Sequence, residues 1–290
     1  MQEVSASEVA RFRAVVIGTL PHFAGRPFTT LNEGRDSVAL ECDGWIFKFP
    51  RSPTAEARLR REVALLGQLR LRVTMPLPQM AFYEGTYAFS QHRKIPGASL
   101  ETAEYELLDD GRRNALAARM AQLYADLHAL PLQRMHELGA VSADPWMAPE
   151  EIIDKAAPLL PKDLRGFLER TVNAYVDLVF DADEVIFGYF DGHGWNMAFD
   201  HGTGTLNGVF DFADAGFGPR HRDLSYSNWI SPDLTLRIIA AYEQRTGRTI
   251  DRGRVMLYTS TLRLAELAEG FLEADRALAN VIDWHRYVTA

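Results

Sequence analysis

The 290-residue chain carries one cysteine, Cys42. An intrachain disulfide is thereby excluded, and a reducing cytoplasm is the expected setting. No stretch reaches the roughly eighteen apolar residues of a membrane-spanning helix. The N-terminus, with Glu3, Glu8, Arg11 and Arg13, lacks the basic-then-apolar pattern of a secretion signal, so no membrane partner is expected. Cationic charge is in deficit: 31 Lys and Arg stand against 39 Asp and Glu, a formal net charge of −8. A nucleic-acid partner is not expected either, because neutralising a phosphate backbone needs a basic stripe. Internal repeats and low-complexity runs are also missing.

What remains is ordinary globular material, 47% hydrophobic and 24% charged, ample for a buried core. Ser37 to Cys42 and Trp45 to Phe49 read as strands, and Asp43-Gly44 between them is a two-residue hairpin signal. Ser52 and Pro53 start a helix whose apolar residues Leu59, Val63 and Leu66 recur through about Leu69. Two further strands are expected near Gln79–Tyr83 and Tyr87–Ser90. Beyond Pro96-Gly97 the pattern turns helical, with segments near Leu116–Leu127, Pro149–Leu159, Leu164–Val179, Asp233–Arg245 and Arg252–Ala277. A β-rich patch over Val185–Phe212 interrupts it. This order implies an α+β protein of two lobes, residues 1–95 and 96–290, with a cleft between them.

Several polar residues do not fit a purely structural reading. Lys48 sits between Phe47 and Phe49 in an apolar strand, where an unpaired ammonium costs several kcal/mol. Glu62 lies three residues from Leu59 and four from Leu66, on the apolar stripe of the next helix. An inward acid following an inward base implies a pair. In Asp191-Gly192-His193-Gly194-Trp195-Asn196 a tight glycine loop carries a carboxylate at one end and an amide at the other. If Met197–Phe199 and Leu206–Phe210 pair with Phe199 opposite Leu206, Asn196 falls opposite Val209 and Asp211 about two positions further along. Asn and Asp together form a hard-oxygen set that suits Mg²⁺ and lacks the His/Cys content of a zinc site.

These residues resemble the aminoglycoside phosphotransferase and choline kinase-like family, and the matching pieces follow the family's order. They are Asn32-Glu33-Gly34-Arg35-Asp36-Ser37, Lys48, Glu62, Ile95-Pro96-Gly97, Leu127-His128-Ala129-Leu130-Pro131, Asp191-x-His193-x-x-Asn196, and Asp211-Phe212-Ala213-Asp214 with Asp223-Leu224. The sequence departs from the family where Tyr189-Phe190 replaces the usual His-Gly before the aspartate. It also has the single glycine Gly34 in place of a glycine-rich phosphate loop. The resemblance implies a protein-kinase-like fold, with a β-rich N-lobe binding ATP or GTP and a mainly helical C-lobe binding the acceptor. It implies nucleotide binding by Lys48, Glu62, Gly34 and Ser37, and hinge backbone groups of Phe89, Ser90, Gln91 and His92 against the purine. Asn196 and Asp211 would hold Mg²⁺, and Asp191 would accept or orient the proton of the acceptor hydroxyl. His128 reads as a packed structural histidine and Asp223 as a support for the loop.

In this family acids of the helical lobe face a cationic small-molecule acceptor. Glu266, Glu269 and Glu273 are expected on one face of the last long helix, with Asp275 nearby, Asp214 and His193 close to the transfer site, and Trp229 and Trp284 as flat surfaces. An aminoglycoside hydroxyl is the expected acceptor. A kinase for a macrolide, choline, homoserine or a sugar, and a weakly catalytic nucleotide-binding pseudokinase, are the alternatives.

Overall fold

Asp43 and Gly44, at φ 50° and 72°, make the left-handed two-residue turn the sequence predicts, and it joins Ser37–Cys42 to Trp45–Pro50. The computed structural model describes residues 5–31, 36–179, 184–270 and 272–290. It divides into two compact units.

The first unit comprises Met1–Ser99, Gln133–Ala140 and Asn196–Ala213. Its antiparallel sheet has strands β1 (Thr29–Thr30), β2 (Ser37–Cys42), β3 (Trp45–Pro50), β4 (Ala81–Tyr83) and β5 (Phe89–Arg93) in the order β1-β2-β3-β5-β4. One face is sealed by helix α1 (Ala6–Thr19), whose Phe12 stacks on Phe49 with ring centroids 4.2 Å apart. The sequence reading missed α1, although Ser5 and Glu8 form the capping box that starts it. Helix α2 (Pro53–Leu69) begins as expected, with the Ser52 hydroxyl accepting from Ala55 N–H. It buries Glu62 together with Leu59, Leu65, Leu66 and Leu69. A separate hairpin pairs β7 (Met197–Asp200) with β8 (Thr205–Val209).

The second unit comprises Leu100–Leu132, Val141–Trp195 and Asp214–Ala290. Its helices are α3 (Thr102–Glu106), α4 (Asp110–His128), α6 (Pro149–Ala156), α7 (Arg165–Val176), α8 (Arg220–Ser225), α9 (Pro232–Thr246), α10 (Arg252–Glu269) and α11 (Ala274–Thr289), while α5 (Leu132–Glu137) falls almost wholly in the first unit. Strands β6 (Val185–Gly188) and β9 (Gly216–Pro219) form a small antiparallel pair. Helices α6, α7, α10 and α11 share one core, built on residues such as Ile152, Leu168, Leu264, Val281 and Trp284. The single helix expected over Arg252–Ala277 is two. Gly270 takes the left-handed conformation, φ 64°, caps α10 and turns the chain, and Glu273 becomes the N-cap of α11. Glu266, Glu269 and Glu273 therefore do not share one helix face. Among the described residues no helix is long and apolar enough to cross a membrane.

Candidate active site

Lys48 lies on β3 opposite Ser90 of β5, and its Nζ stands 3.4 Å from both carboxylate oxygens of Glu62 and 3.2 Å from Asp211 Oδ1. The inferred pair is thus a three-membered cluster. Glu62 is fixed from a second side, where its Oε1 accepts the Phe212 backbone N–H at 2.9 Å. Burial works against the Lys48 ammonium, but Asp211 and Glu62 outweigh it and hold the lysine above its ordinary pKa. Glu62 is raised, by burial and by neighbouring Asp211, against the opposing pull of Lys48. Two anions around one buried cation leave a residual negative charge that further positive charge would compensate.

The hinge residues sit differently from expectation. Ser90 and Gln91 have sheet partners on both sides, in β3 and β4, so their backbone groups belong to the ladder and are not offered to a purine, whereas Phe89 pairs only with Tyr83 of β4 and His92 only with Ile46 of β3. Strand alternation instead puts the side chains of Ser90 and His92 on the face of Lys48, and those of Phe89 and Gln91 on the other. Ser90 Oγ and His92 Nδ1 are buried and lack hydrogen-bond partners among the described residues. Burial, with Lys48 adding to it, pushes His92 down to about 3, so the ring is neutral. Ser37 is the first residue of β2 and lies opposite Pro50; Gly34 lies outside the described residues.

The β7–β8 hairpin brings Asn196 closer to Asp211 than predicted. Phe199 does pair with Leu206, but a bulge between Ala198 and Phe199 shifts the register by one, so that Met197 faces Val209. The carbonyl of Asn196 then accepts the Phe210 N–H at 3.0 Å, and Asp211 is one position on. Asn207, the extra residue of the bulge, is tied by its side-chain N–H to the Pro96 carbonyl at 2.8 Å. Asp211 itself takes a left-handed φ of 63°, a conformation costing about 1–2 kcal/mol outside glycine. Its carboxylate is partly exposed. An amide oxygen just before β7 and a partly exposed carboxylate just after β8 are a donor set that fits Mg²⁺, an ion that completes its shell with water and phosphate oxygens. Among the described residues no cluster of three His, Cys, Asp or Glu with ligand spacing occurs, so an all-protein metal cage is not built from them.

In the second unit the Asp191 loop is held from beneath. Asp223, wholly buried, accepts the backbone N–H groups of Tyr189 (3.1 Å) and Phe190 (2.6 Å) and the Nε2–H of His128 (2.8 Å). Burial lowers the His128 pKa, so the neutral ring donates from Nε2 and its Nδ1 accepts from the Tyr242 hydroxyl. Phe190 adopts φ 56°, the conformation a glycine would take without strain. Its ring is buried in a cluster with Ile186 and Tyr226 and lies against the Cα of Gly218, where an added Cβ would come within 2.7 Å. Gly192 and Gly194 admit no side chain, because a Cβ would strike the Tyr124 hydroxyl and the Leu100 carbonyl respectively. At the loop's surface Asp191 Oδ1 meets His193 Nε2 at 2.9 Å, and the His193 ring stands edge-on to Trp195. Asp214 follows Ala213 as a half-buried residue at the start of the unit's last stretch.

Beside this loop opens a pocket of about 560 Å³ whose wall includes His193, Trp195, Trp229, Arg263, Arg276 and Trp284. The sequence reading named both Trp229 and Trp284 but gave Trp284 too open a role. Its indole N–H donates to Ser260 Oγ at 2.7 Å, and Arg263 sits 5.3 Å over its ring. Arg263 and Arg276 share their helices with the acids that the charge pattern singles out, and nothing in that pattern marks the two arginines. Glu266 occupies α10 one turn from Arg263, and burial raises its carboxyl to about 7. Glu269 and Glu273 are exposed, and neither is part of the pocket wall.

The sequence model of the phosphotransferase enzyme family, APH, matches residues 28–258. No curated protein matches the sequence. Among solved structures, the GDP complex of wild-type aminoglycoside 2'-phosphotransferase-IIIa is 20% identical, with 95% of this chain and 96% of that one covered and a TM-score of 0.78. The GDP and kanamycin complex of APH(2")-IIIa is 21% identical, with 94% and 96% covered and a TM-score of 0.77. Macrolide 2'-phosphotransferase MphH from Brachybacterium faecium is 17% identical, with 93% and 98% covered and a TM-score of 0.64.

Proposed function

The chain belongs to the phosphotransferase enzyme family, and from that membership we propose that it transfers the γ-phosphoryl group of ATP or GTP to a hydroxyl of a small molecule. The observation that carries this reading is Lys48 held between Glu62 and Asp211, with Asn196 brought next to Asp211 by the β7–β8 register. Phosphoryl transfer asks a protein chiefly to position groups and neutralise charge, and this cluster has the parts to do so. Solved relatives in complex with GDP, ADP and ATP support a purine nucleotide as donor.

In this reading Lys48 contacts the nucleotide phosphates and Glu62 holds its ammonium in place. Residues 1–95 serve the nucleotide, and 96–290 carry transfer and acceptor. Ser37, the first residue of β2, takes part in holding the nucleotide phosphates. The side chains of Ser90 and His92, on the face of Lys48, offer polar contacts to the nucleotide. Asn196 and Asp211 hold Mg²⁺, which when bound neutralises phosphate charge. Asp191 accepts or orients the hydroxyl proton, His193 keeps the Asp191 carboxylate oriented through the 2.9 Å contact, and Asp214 adds negative charge nearby. Asp191→Ala should retain nucleotide binding and lose at least about two orders of magnitude in transfer rate; unchanged turnover would refute its role. Nucleotide binding by the wild type with no transfer to any acceptor would instead mark a pseudokinase.

For the acceptor, aminoglycosides are supported by the kanamycin complex of a relative and by the acid excess of the chain. Growth protection of an expressing bacterium across an aminoglycoside panel tests that class. A kinase for a different small molecule is the second reading, and the specific observation favouring it is the pair of arginines in the pocket wall.

A further inference from the structure

The pocket beside Asp191 has four charged side chains other than His193 in its wall, and they are not equally available. Glu101 is the N-cap of α3 and takes part in its capping box. Asp283 is paired with Arg286 at 3.0 Å. By contrast, among the described residues no carboxylate lies within salt-bridge distance of Arg263 or Arg276. Both guanidinium groups lie over tryptophans instead: Arg263 is 4.6 Å from the Trp229 centroid, and Arg276 is 5.6 Å from that of Trp195. Stacking of this kind fixes a guanidinium plane and leaves its edge for a planar anion. Arg263 Nη2 donates to the Asn228 carbonyl at 3.1 Å, whereas its buried Nε–H and the buried Asn228 Oδ1 have no partner among the described residues.

Glu266 does not restore the balance. Burial raises its carboxyl to about 7, so it is a weaker anion than an exposed glutamate, whereas Arg263, lowered by burial to about 10 against the pull of Glu266 and Asp283, stays charged. The wall thus offers two cations that no carboxylate of the described residues contacts directly, with the partly exposed rings of Trp195 and Tyr287 alongside.

Resting on the phosphotransferase reading, and on its second acceptor class in place of the aminoglycosides, we propose that the acceptor pocket selects a hydroxylated small molecule that carries an anionic group for Arg263 and Arg276 and a flat ring for Trp195 and Tyr287, and that it discriminates against polycations. A polycation would have to leave its hydration shell to face two fixed positive charges, whereas a carboxylate would gain charge-assisted hydrogen bonds.

The test is a matched set of probes titrated calorimetrically into the full chain with Mg²⁺ and nucleotide present: 4-nitrophenyl β-D-glucuronide, 4-nitrophenyl β-D-glucoside and kanamycin. The first two differ in one carboxylate. The glucuronide should bind at least about tenfold tighter than the glucoside, and kanamycin more weakly than either. Arg276→Gln, an exposed position that spares the core, should abolish the preference, and Arg263→Gln should reduce it. Equal binding of the two glycosides, tightest binding of kanamycin, or a preference unchanged in both variants overturns the proposal. Phosphate transfer separates it from the reading it rests on. Transfer to kanamycin with none to the glucuronide defeats the acceptor proposal and leaves the phosphotransferase standing. Carboxylate-selective binding without transfer to any hydroxyl supports the pocket's preference and tells against the phosphotransferase.

Discussion

Replacing Asp223 should damage stability and turnover together, and the structure sets the scale. The carboxylate is the acceptor for three buried donors, two backbone amides and the His128 Nε2–H. Each orphaned donor costs about 1–3 kcal/mol, so Asp223→Ala loses at least about 3 kcal/mol. Domains of 150–250 residues shift Tm by about 2–4 °C per kcal/mol, which makes the expected fall about 6–12 °C. Asp223→Asn is gentler and more informative. Its amide best replaces Oδ1, which serves only Phe190, since Oδ2 serves both Tyr189 and His128. One bond is then lost and a donor faces a donor, for about 1–3 kcal/mol. Because the lost bond belongs to Phe190, the residue immediately before Asp191, kcat should fall about tenfold to a hundredfold at temperatures where the variant is fully folded. Thermal unfolding and steady-state rates on the same preparations check both arms, and His128→Phe in a double-mutant cycle should show coupling of about 0.5–3 kcal/mol. Wild-type Tm and kcat in Asp223→Asn would refute the clamp.

Glu62→Gln should leave the sheet intact but loosen Lys48, weakening nucleotide binding by about tenfold or more in a fluorescent-nucleotide titration. Gly194→Ala forces a methyl group into the Leu100 carbonyl, and its Tm should fall with loss of activity. Phe190→Gly relieves about 1 kcal/mol of left-handed strain but surrenders a buried ring worth about 3–5 kcal/mol, so a net loss of about 2–4 kcal/mol is expected in urea unfolding. Glu266 gives a pH signature. With its folded pKa near 7 against an ordinary 4.5, the folded state binds more protons across that window, so this residue's contribution to stability falls as pH rises through it. Glu266→Gln should flatten the decline between about pH 4.5 and 7 in Tm profiles and raise Tm at pH 8 relative to wild type; a steeper profile would contradict its burial.

Local signals carried the first unit well. Asp43-Gly44 and Ser52-Pro53 each dictate a conformation with little help from elsewhere, and the placement of Lys48 and Glu62 followed from strand and helix periodicity. The Asn196–Asp211 register differs by one from the regular ladder the sequence predicts, because a bulge at Asn207 is stabilised by Pro96, far away in sequence. The break at Gly270 was legible as a glycine C-cap but was overridden by apolar periodicity that resumes beyond it. Asp211 joining the lysine was not legible, since it depends on where the turn after β8 lands. The arginines of the pocket share helices with several acids, and only the side-chain partners reveal which charges are already answered.

The contact between Phe190 and Gly218 has a bearing on the routes by which the sequence could change. With phenylalanine at position 190, even a single methyl at 218 meets the ring; with glycine at 190 that obstacle disappears. Substitutions at 218 are therefore closed until 190 becomes small, and a bulky residue can return to 190 only while 218 remains glycine. The two positions form a ratchet in which the order of steps decides which sequences are reachable. The present pair occupies one end of it, where a strained aromatic has locked its neighbour as glycine.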